Sequence, residues 1–364
     1  MENCNQVDPW LGSFICTILS RADPTKIWAN LLSRSIHINH LVDLDVEWTL
    51  VPEKVARHIK NNSIVVNMSA DPFNRYEESV VGQLSKHADN FVVLSGDVSY
   101  LSKPVEHICF FPFWYLNQKY SYAPISIIDR PRTYKVSCMN KNSRYHRILN
   151  FIKLRKKRYF KDMLFGMLYH YDSRQVRLQT PYELFDANIL AEFHTLLPKE
   201  ISQLDGQDGH AIDLPAYIDS YCNFVTETSI YNKTIFVSEK TWRPFMAGQF
   251  GLWLSNPGCV DFLRLCGFDV FDDVFSGHAY DREPNPNQRI EQIHQVIDQI
   301  MTVDLDQVFM DTLDRRKANM DLFYSQPLEN LLTKQCTHIE FDKFCTGRLE
   351  SLYPIGQGPV AKWL

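Results

Sequence analysis

The tripeptide Ser238-Glu239-Lys240 places a carboxylate and an ammonium side by side at a predicted structural boundary. It follows an apolar run at 234–237 that is typical of a strand, and it opens a segment at 239–248 that is typical of a helix. A helix start offers free backbone N–H groups and the positive end of the helix dipole, so anions bind there. Lys240 and those N–H groups could hold a diphosphate, while Glu239 could accept hydrogen bonds from the two hydroxyls of a ribose. The alternative is an ordinary helix cap.

Arg144 and Arg147 form a second basic element, directly after a predicted strand. Side chains three positions apart share a face of a helix, and a planar guanidinium suits bidentate binding of phosphate. We therefore predict that both arginines hold phosphate groups, with a basic helix start on the surface as the alternative. His146 is expected to be a structural hydrogen-bonding residue.

Strand-like and helix-like segments alternate around these residues. Apolar runs typical of strands occupy 63–67, 90–95, 107–111, 134–139, 234–237 and 250–254. Helical periodicity occupies 76–87, a segment from about 145, 239–248, and 287–301, the last with five apolar side chains on one face: Ile290, Ile293, Val296, Ile297 and Ile300. The alternation predicts an α/β protein with two Rossmann-like domains facing a cleft, over 1–130 and 134–330. Ligands bind outside the carboxyl ends of such strands.

Composition limits the class of protein. The 364 residues are 45% hydrophobic and 22% charged, which suits two globular domains at roughly 150 residues each. A net charge of −5 argues against a protein that coats nucleic acid through its overall field. The nine scattered cysteines indicate neither a disulfide framework nor a zinc site. Without a secretory signal or an apolar run of roughly 20 residues, a cytoplasmic protein with no metal site and no membrane contact is expected.

One local charge run departs from this acidic balance. The segment 153–158 contains five basic residues, among them Lys156, Lys157 and Arg158, and Lys161 follows. Such a run is either the solvated face of a helix or a patch for a polyanionic partner or acceptor.

Several of these segments resemble the signature of glycosyltransferase family 10, the α-1,3-fucosyltransferases. Thr226-Glu227-Thr228-Ser229 resembles its E-N-S element, and the run I-F-V-S-E-K-T at 235–241 resembles Y-V-T-E-K. The likeness is greatest to compact, anchorless members from bacteriophages and bacteria, which also have N-x-x-x-R-x-x-R at the start of the donor domain and a Y-D…R element. Tyr280, Asp281 and Arg289 match the latter.

The resemblance implies roles for the donor-side residues. Glu239 would bind the nucleotide ribose, and Lys240, Arg144 and Arg147 the diphosphate. Glu227 would face the sugar or orient Lys240.

The acceptor side of the resemblance is looser. Family members have a strand followed by an acidic E-S-P-like turn, where a carboxylate takes the proton of the acceptor hydroxyl. Asp71, in Ala70-Asp71-Pro72, is the candidate here, although the expected glutamate aligns nearest to Ala70. A turn-capping aspartate is equally consistent with the sequence. Asp97, at another strand end, is the second candidate.

The family has the GT-B architecture, with an acceptor domain followed by a donor domain, and the segment 331–364 could pack back on the first domain. The resemblance implies inverting, metal-independent transfer from a GDP- or UDP-linked sugar, with no bound cofactor. The acceptor could be a glycan, a lipid-linked saccharide or a hydroxymethylated DNA base, and a viral protein would act in the host cytoplasm. The alternatives are an inactive nucleotide-sugar-binding protein, which Ala70 favours, and a structural protein that retains the fold.

Overall fold

The computed structural model describes residues 91–103, 105–125, 130–140, 143–167, 186–195, 215–231 and 234–335. It also gives the backbone of two earlier strands and the isolated positions 78, 81, 82 and 85. The chain divides into two compact units, Met1–Ser121 with Glu329–Leu364, and Tyr122–Leu328. Asp71 lies outside the described residues, as do most of the predicted helix at 76–87 and the last part of the segment 331–364.

The first unit contains a parallel sheet. Its strands are β1 (Ser35–His37), β2 (Ile64–Met68), β3 (Phe91–Ser95) and β4 (Ile108–Phe110), in the order β1-β2-β3-β4. β2, β3 and β4 confirm the strands predicted at 63–67, 90–95 and 107–111. Every side chain of β3 is buried, as is typical of a parallel strand covered on both faces.

Two short helices follow these strands, α1 (Ser99–Ser102) and α2 (Phe113–Ser121). Residues from the end of the described chain also contact this unit. Glu329 accepts hydrogen bonds from Lys119 Nζ at 2.7 Å and Tyr120 Oη at 2.6 Å, and Gln335 Oε1 accepts one from Phe110 N at 3.0 Å. The chain therefore returns to the first unit after leaving the second.

The second unit contains a parallel sheet in which the winding direction changes. Its strands are β5 (Tyr134–Asn140), β6 (Met163–Met167), β7 (Ser220–Thr226) and β8 (Phe250–Leu254), in the order β6-β5-β7-β8. The chain adds β6 on one side of β5 and then crosses to add β7 and β8 on the other. This creates a topological switch point between β5 and β7, and sheets of this kind bind their ligands at the carboxyl ends of the strands there.

Helices and a hydrophobic core cover both faces of this sheet. The helices are α3 (Tyr145–Arg155), α4 (Ala187–Thr195), α5 (Pro215–Ile218), α6 (Glu239–Met246), α7 (Cys259–Leu265), α8 (Pro286–Ile300), α9 (Leu305–Asp311) and α10 (Leu313–Tyr324). The next helix, α11 (Gln326–Thr333), contains the boundary between the two units at Leu328 and Glu329. The main core joins β5–β8 with α3, α4, α8 and α9, while Leu164 packs with Ala216 and Tyr217 in a smaller cluster. Successive residues of β6 contribute to the two clusters, which is the alternation expected of a strand.

The structure confirms most of the predicted elements of this unit and corrects two points. Helix α8 buries all five of the apolar side chains predicted to share a face. The strand predicted at 234–237 is wrong: only Phe236 makes an isolated bridge, although Phe236 and Val237 are both buried. The strands β6 and β7 of this unit were not predicted, nor was β1 of the first unit. No helix within the described part of the chain is long and apolar enough to cross a membrane.

The buried carboxylate of Asp281 contacts the start of α7 from the 3-10 segment Ser276–Arg282. Its titration gives a test of the fold by pH. Asp281 Oδ2 accepts hydrogen bonds from Val260 N at 3.0 Å and Asp261 N at 3.3 Å. Burial raises the pKa of Asp281 to about 6, so its ionised form destabilises the folded chain above that pH. As the pH falls from about 6 towards the unfolded value of 3.8, protonation of this group adds stability to the fold.

We therefore expect Asp281→Asn to raise the free energy of unfolding at pH 8 by about 1–3 kcal/mol relative to the parent. The substitution removes the buried charge, and the amide oxygen can still accept the two backbone hydrogen bonds. The difference should shrink as the pH approaches 4. Urea unfolding of both proteins from pH 4 to 8 measures it. A difference that stays constant over this range would contradict the assignment.

Candidate functional site

The carboxyl ends of β5 and β7 meet at the switch point. Thr226, the last residue of β7, donates a hydrogen bond from Oγ1 to Asn140 Oδ1 at the end of β5. Both residues are buried. This contact fixes the two strand ends against each other, at the place where an α/β sheet of this order binds its ligand.

The start of α3 is anchored on the backbone that follows β7. His146 Nε2 lies 2.9 Å from Glu227 O, and Arg147 Nη2 donates to Thr226 O at 2.9 Å and Glu227 O at 3.2 Å. Arg144, at the N-cap, donates from Nη1 to Thr228 O. The structure thus brings Arg144 and Arg147 together at the end of β7. Nη2 of Arg147 is engaged with carbonyl groups there.

Burial and neighbouring cations define the charge of this group. Burial, followed by the charge of Arg144, lowers the pKa of Arg147 to about 10, so the guanidinium stays charged at neutral pH. Burial, Arg147 and Arg144 hold the pKa of His146 well below its usual value. His146 is therefore neutral, and its Nε2 must carry the proton that it donates to the Glu227 carbonyl. This is the structural role expected for His146.

The Glu227 carboxylate is fully buried and points at the start of α6. Oε1 accepts hydrogen bonds from Ser238 N at 3.1 Å, Ser238 Oγ at 2.9 Å and Thr241 Oγ1, and Oε2 accepts one from Thr228 N at 3.0 Å. Ser238 is the N-cap of α6, and its Oγ accepts from Lys240 N at 3.3 Å. Glu227 therefore holds the segment that carries Lys240. Of the two roles that the resemblance allows, this contact supports the orienting one.

Glu239 and Lys240 form an ion pair with each other at the first turn of α6. Their side chains are 9% and 16% exposed, so the pair is nearly removed from water. Burial opposes ionisation of Glu239, but the charges of Lys240 and Arg243 outweigh it and lower the pKa of that carboxyl to about 2. Burial lowers the pKa of Lys240, while Glu239 acts to raise it. The carboxylate is thus ionised and held by cations.

Arg144, Arg147, Lys240 and Arg243 together form what we name the cation cluster. Arg243 lies one turn after Lys240, is buried, and donates from Nη1 to Tyr217 Oη at 2.7 Å. The carboxylates of Glu227 and Glu239 lie among these cations and act on their charges. Several cations gathered at one strand end favour an anionic ligand.

Residues that sequence reasoning missed complete the support of this site. The sequence could have indicated Arg243, because it stands three positions after Lys240 on the same predicted helix and so shares its face. Asn256 had no such indication, since it acts through one hydrogen bond from Nδ2 to Thr234 O at 2.6 Å. Asn140 and Arg289 belong to the N-x-x-x-R-x-x-R and Y-D…R elements, but their contacts were not predicted. Arg289 is buried and donates from Nη2 to Ile230 O at 2.6 Å, which fixes the connection between β7 and α6.

The two predicted catalytic aspartates belong to the first unit. Asp71 lies outside the described residues. Asp97 is buried just after β3, where its backbone N donates to Ser95 Oγ and its Oδ1 accepts from Ser99 N, each at 3.0 Å. These contacts are those of a residue that closes a turn before α1.

Three cations of the basic segment 153–158 are paired with carboxylates. Lys153 pairs with Glu291, Lys156 Nζ lies 2.9 Å from Glu192, and Lys157 Nζ lies 2.7 Å from an oxygen of Asp298. Arg158 is exposed at the start of a 3-10 turn, Arg158–Asp162. Lys156 and Lys157 thus act within the fold, which weakens the sequence argument for a polyanion patch.

Cysteine and carboxylate groups elsewhere have structural partners or surroundings. The five cysteines in the described ranges are buried free thiols: Cys109, Cys138, Cys222, Cys259 and Cys266. Asp269 and Asp273 pair with Arg315, and Asp272 pairs with Arg264. Within those ranges no group of three or more His, Cys, Asp or Glu side chains is placed to bind a metal ion.

A scan against protein-family models found no matching family, and searches of curated proteins and of solved structures found no match. The function must therefore be argued from the residues of the site.

Proposed function

We propose that this chain transfers a sugar from a nucleotide-sugar donor to an acceptor hydroxyl, as its resemblance to glycosyltransferase family 10 implies. The observation that carries the proposal is the cation cluster at the switch point of the second sheet. A nucleoside diphosphate is a polyanion, and the crevice at the carboxyl ends of parallel strands is the usual place for such ligands. The cluster is built on strand ends and helix starts, which hold charges in fixed positions.

The contacts of each residue support a division of roles. Lys240 and Arg144 are the least buried of the four cations and would bind the diphosphate. Arg147 is buried and would contribute its positive charge to the site. Glu239, whose carboxylate pairs with Lys240, would accept the ribose hydroxyls. Glu227 would position Lys240 through Ser238 and Thr241.

The proposed reaction breaks the bond between the anomeric carbon and the diphosphate oxygen and forms a bond to the acceptor oxygen from the opposite face. The acceptor proton passes to a carboxylate, for which Asp71 is the first candidate and Asp97 the second. The cations offset the charge that develops on the leaving diphosphate, which removes the need for a metal in this role. The donor would be GDP- or UDP-linked, and the acceptor a glycan or a hydroxymethylated DNA base.

The wider architecture belongs to the same proposal. Two Rossmann-like domains of GT-B type would place the acceptor on the first unit and the donor on the second, in a cytoplasmic protein. No cofactor would be needed besides the nucleotide-sugar substrate.

A thermal-shift screen against GDP, UDP and their sugars tests the proposal. A ligand that binds only the folded state adds RT ln(1 + [L]/Kd), about 2.7 kcal/mol at a concentration of 100 Kd, so one nucleotide should raise the Tm clearly. Slow hydrolysis of the bound donor would distinguish an enzyme from an inactive binding protein. If none of the nucleotides or their sugars shifts the Tm, the proposal fails.

A further inference from the structure

The Glu239 carboxylate lies where an anionic ligand of the cation cluster would be expected. It contacts Lys240 directly, and the charges of Arg243 and Arg147 also act on this pair. A carboxylate paired with a lysine in such a group of cations meets the same electrostatic demand as a phosphate group.

The two carboxylates of the cluster differ in what holds them. The oxygens of Glu227 accept four hydrogen bonds from Ser238, Thr241 and Thr228, so moving this side chain would break the start of α6. Glu239 has Lys240 as its side-chain partner and a contact with its own backbone N–H, neither of which joins it to another segment. A lysine has several rotatable bonds and can follow a new anion. Glu239 is therefore the carboxylate that can be displaced without loss of the fold.

We propose that Glu239 is an internal competitor for the phosphate position, and that ligands bind by exchange. A phosphate group takes Lys240 from Glu239, and the released carboxylate accepts hydrogen bonds from a neighbouring pair of hydroxyls on the same ligand. The identity of that ligand as a nucleoside diphosphate rests on the proposed function, but the competition does not.

The exchange makes the site selective for molecules that carry both groups. Free pyrophosphate must displace Glu239 and leaves the carboxylate without a partner in a site largely removed from water. A nucleoside without phosphates must separate the ion pair and leaves Lys240 unpaired. Only a molecule with a diphosphate next to a diol replaces both contacts, so Glu239 would exclude abundant simple phosphates.

Titration calorimetry with inorganic pyrophosphate and with GDP and UDP tests this for the parent, Glu239→Gln and Glu239→Ala. We expect both variants to bind pyrophosphate roughly tenfold tighter or more, which is the range of one charge-assisted contact. Their preference for the nucleoside diphosphate over pyrophosphate should fall, because the group that accepts the diol is weakened or lost. Glu291→Gln, which removes an exposed carboxylate far along the chain, is the matched control and should leave pyrophosphate binding unchanged.

Pyrophosphate affinity that is unchanged or weaker in both variants overturns the competition, and so does the absence of pyrophosphate binding by all proteins. The thermal unfolding of each variant shows whether it is folded, and the alanine variant serves if the glutamine variant is not. Tighter pyrophosphate binding together with no nucleotide binding would retain the competition and reject the proposed function. Nucleotide binding without tighter pyrophosphate binding would do the reverse.

Discussion

Replacing Glu227 with alanine is expected to destabilise the chain by about 3 kcal/mol or more and to abolish nucleotide binding. Its carboxylate accepts hydrogen bonds from Ser238, Thr241 and Thr228, and the substitution leaves these donors unsatisfied. Each buried donor left without a partner costs about 1–3 kcal/mol. The cation cluster would also lose one of its two negative charges in a largely buried setting. Urea unfolding measures the loss of stability, and calorimetry measures nucleotide affinity.

Two variants serve as controls for this prediction. Glu227→Gln keeps one acceptor oxygen and nearly the same shape, so it should lose less stability than the alanine variant. Glu291→Ala removes an exposed carboxylate on α8 and should change the free energy of unfolding by about 0.5 kcal/mol or less. If the Glu227 and Glu291 alanine variants were equally stable, the buried carboxylate would not hold α6 in the way that its contacts indicate.

Lys240→Met should weaken binding of the nucleoside diphosphate by roughly 10- to 100-fold, the range for loss of a charge-assisted hydrogen bond. Methionine keeps most of the apolar length of lysine, so the packing of α6 should change little. The bare nucleoside should show no loss, because it has no phosphate for Lys240 to contact and no longer has to separate the Glu239–Lys240 pair. Calorimetric titration with both ligands gives the comparison.

The matched control is Lys317→Met, which removes an exposed cation from α10. It should bind both ligands as the parent does. An equal loss of affinity for nucleoside and nucleoside diphosphate in Lys240→Met would show that Lys240 acts through the shape of the site. Unchanged affinity for both would remove Lys240 from the donor site.

Local pattern predicted those elements whose burial follows a simple period. The strands β2, β3, β4, β5 and β8 contain short apolar runs, and the apolar face of α8 repeats at helical spacing. Such runs can bury their side chains in one regular conformation and so favour that element, although β6 is also a buried apolar run and was not predicted. The run at 234–237 is also largely apolar, but the place beside β7 is taken by β8. Phe236 and Val237 of this run are instead buried in the connection between β7 and α6.

The strand β7 escaped prediction because polar residues interrupt it. Ser220 Oγ donates to Ser137 Oγ at 2.9 Å, Asn223 Nδ2 donates to Gln249 Oε1 at 3.4 Å, and Thr226 donates to Asn140. These partners lie on other strands and loops of the sheet, so the residues are satisfied only once the sheet has formed. Buried polar side chains are tolerated in a strand when their hydrogen-bond partners are present. The sequence alone does not show those partners, so the polar residues of β7 are typical of a loop.

The sequence by itself determined which charges stand together along the chain: Glu239 beside Lys240, behind a serine that caps a helix, and Arg144 three positions before Arg147. Tertiary structure alone decided what these groups contact. Arg147, His146 and Arg144 bind carbonyls that are 79, 81 and 84 residues away in the chain, and Lys157 meets Asp298. The physical reason is that such partners are set by the strand order β6-β5-β7-β8, which brings the ends of β5 and β7 together. Local periodicity specifies a strand and its faces, but it does not specify its neighbour.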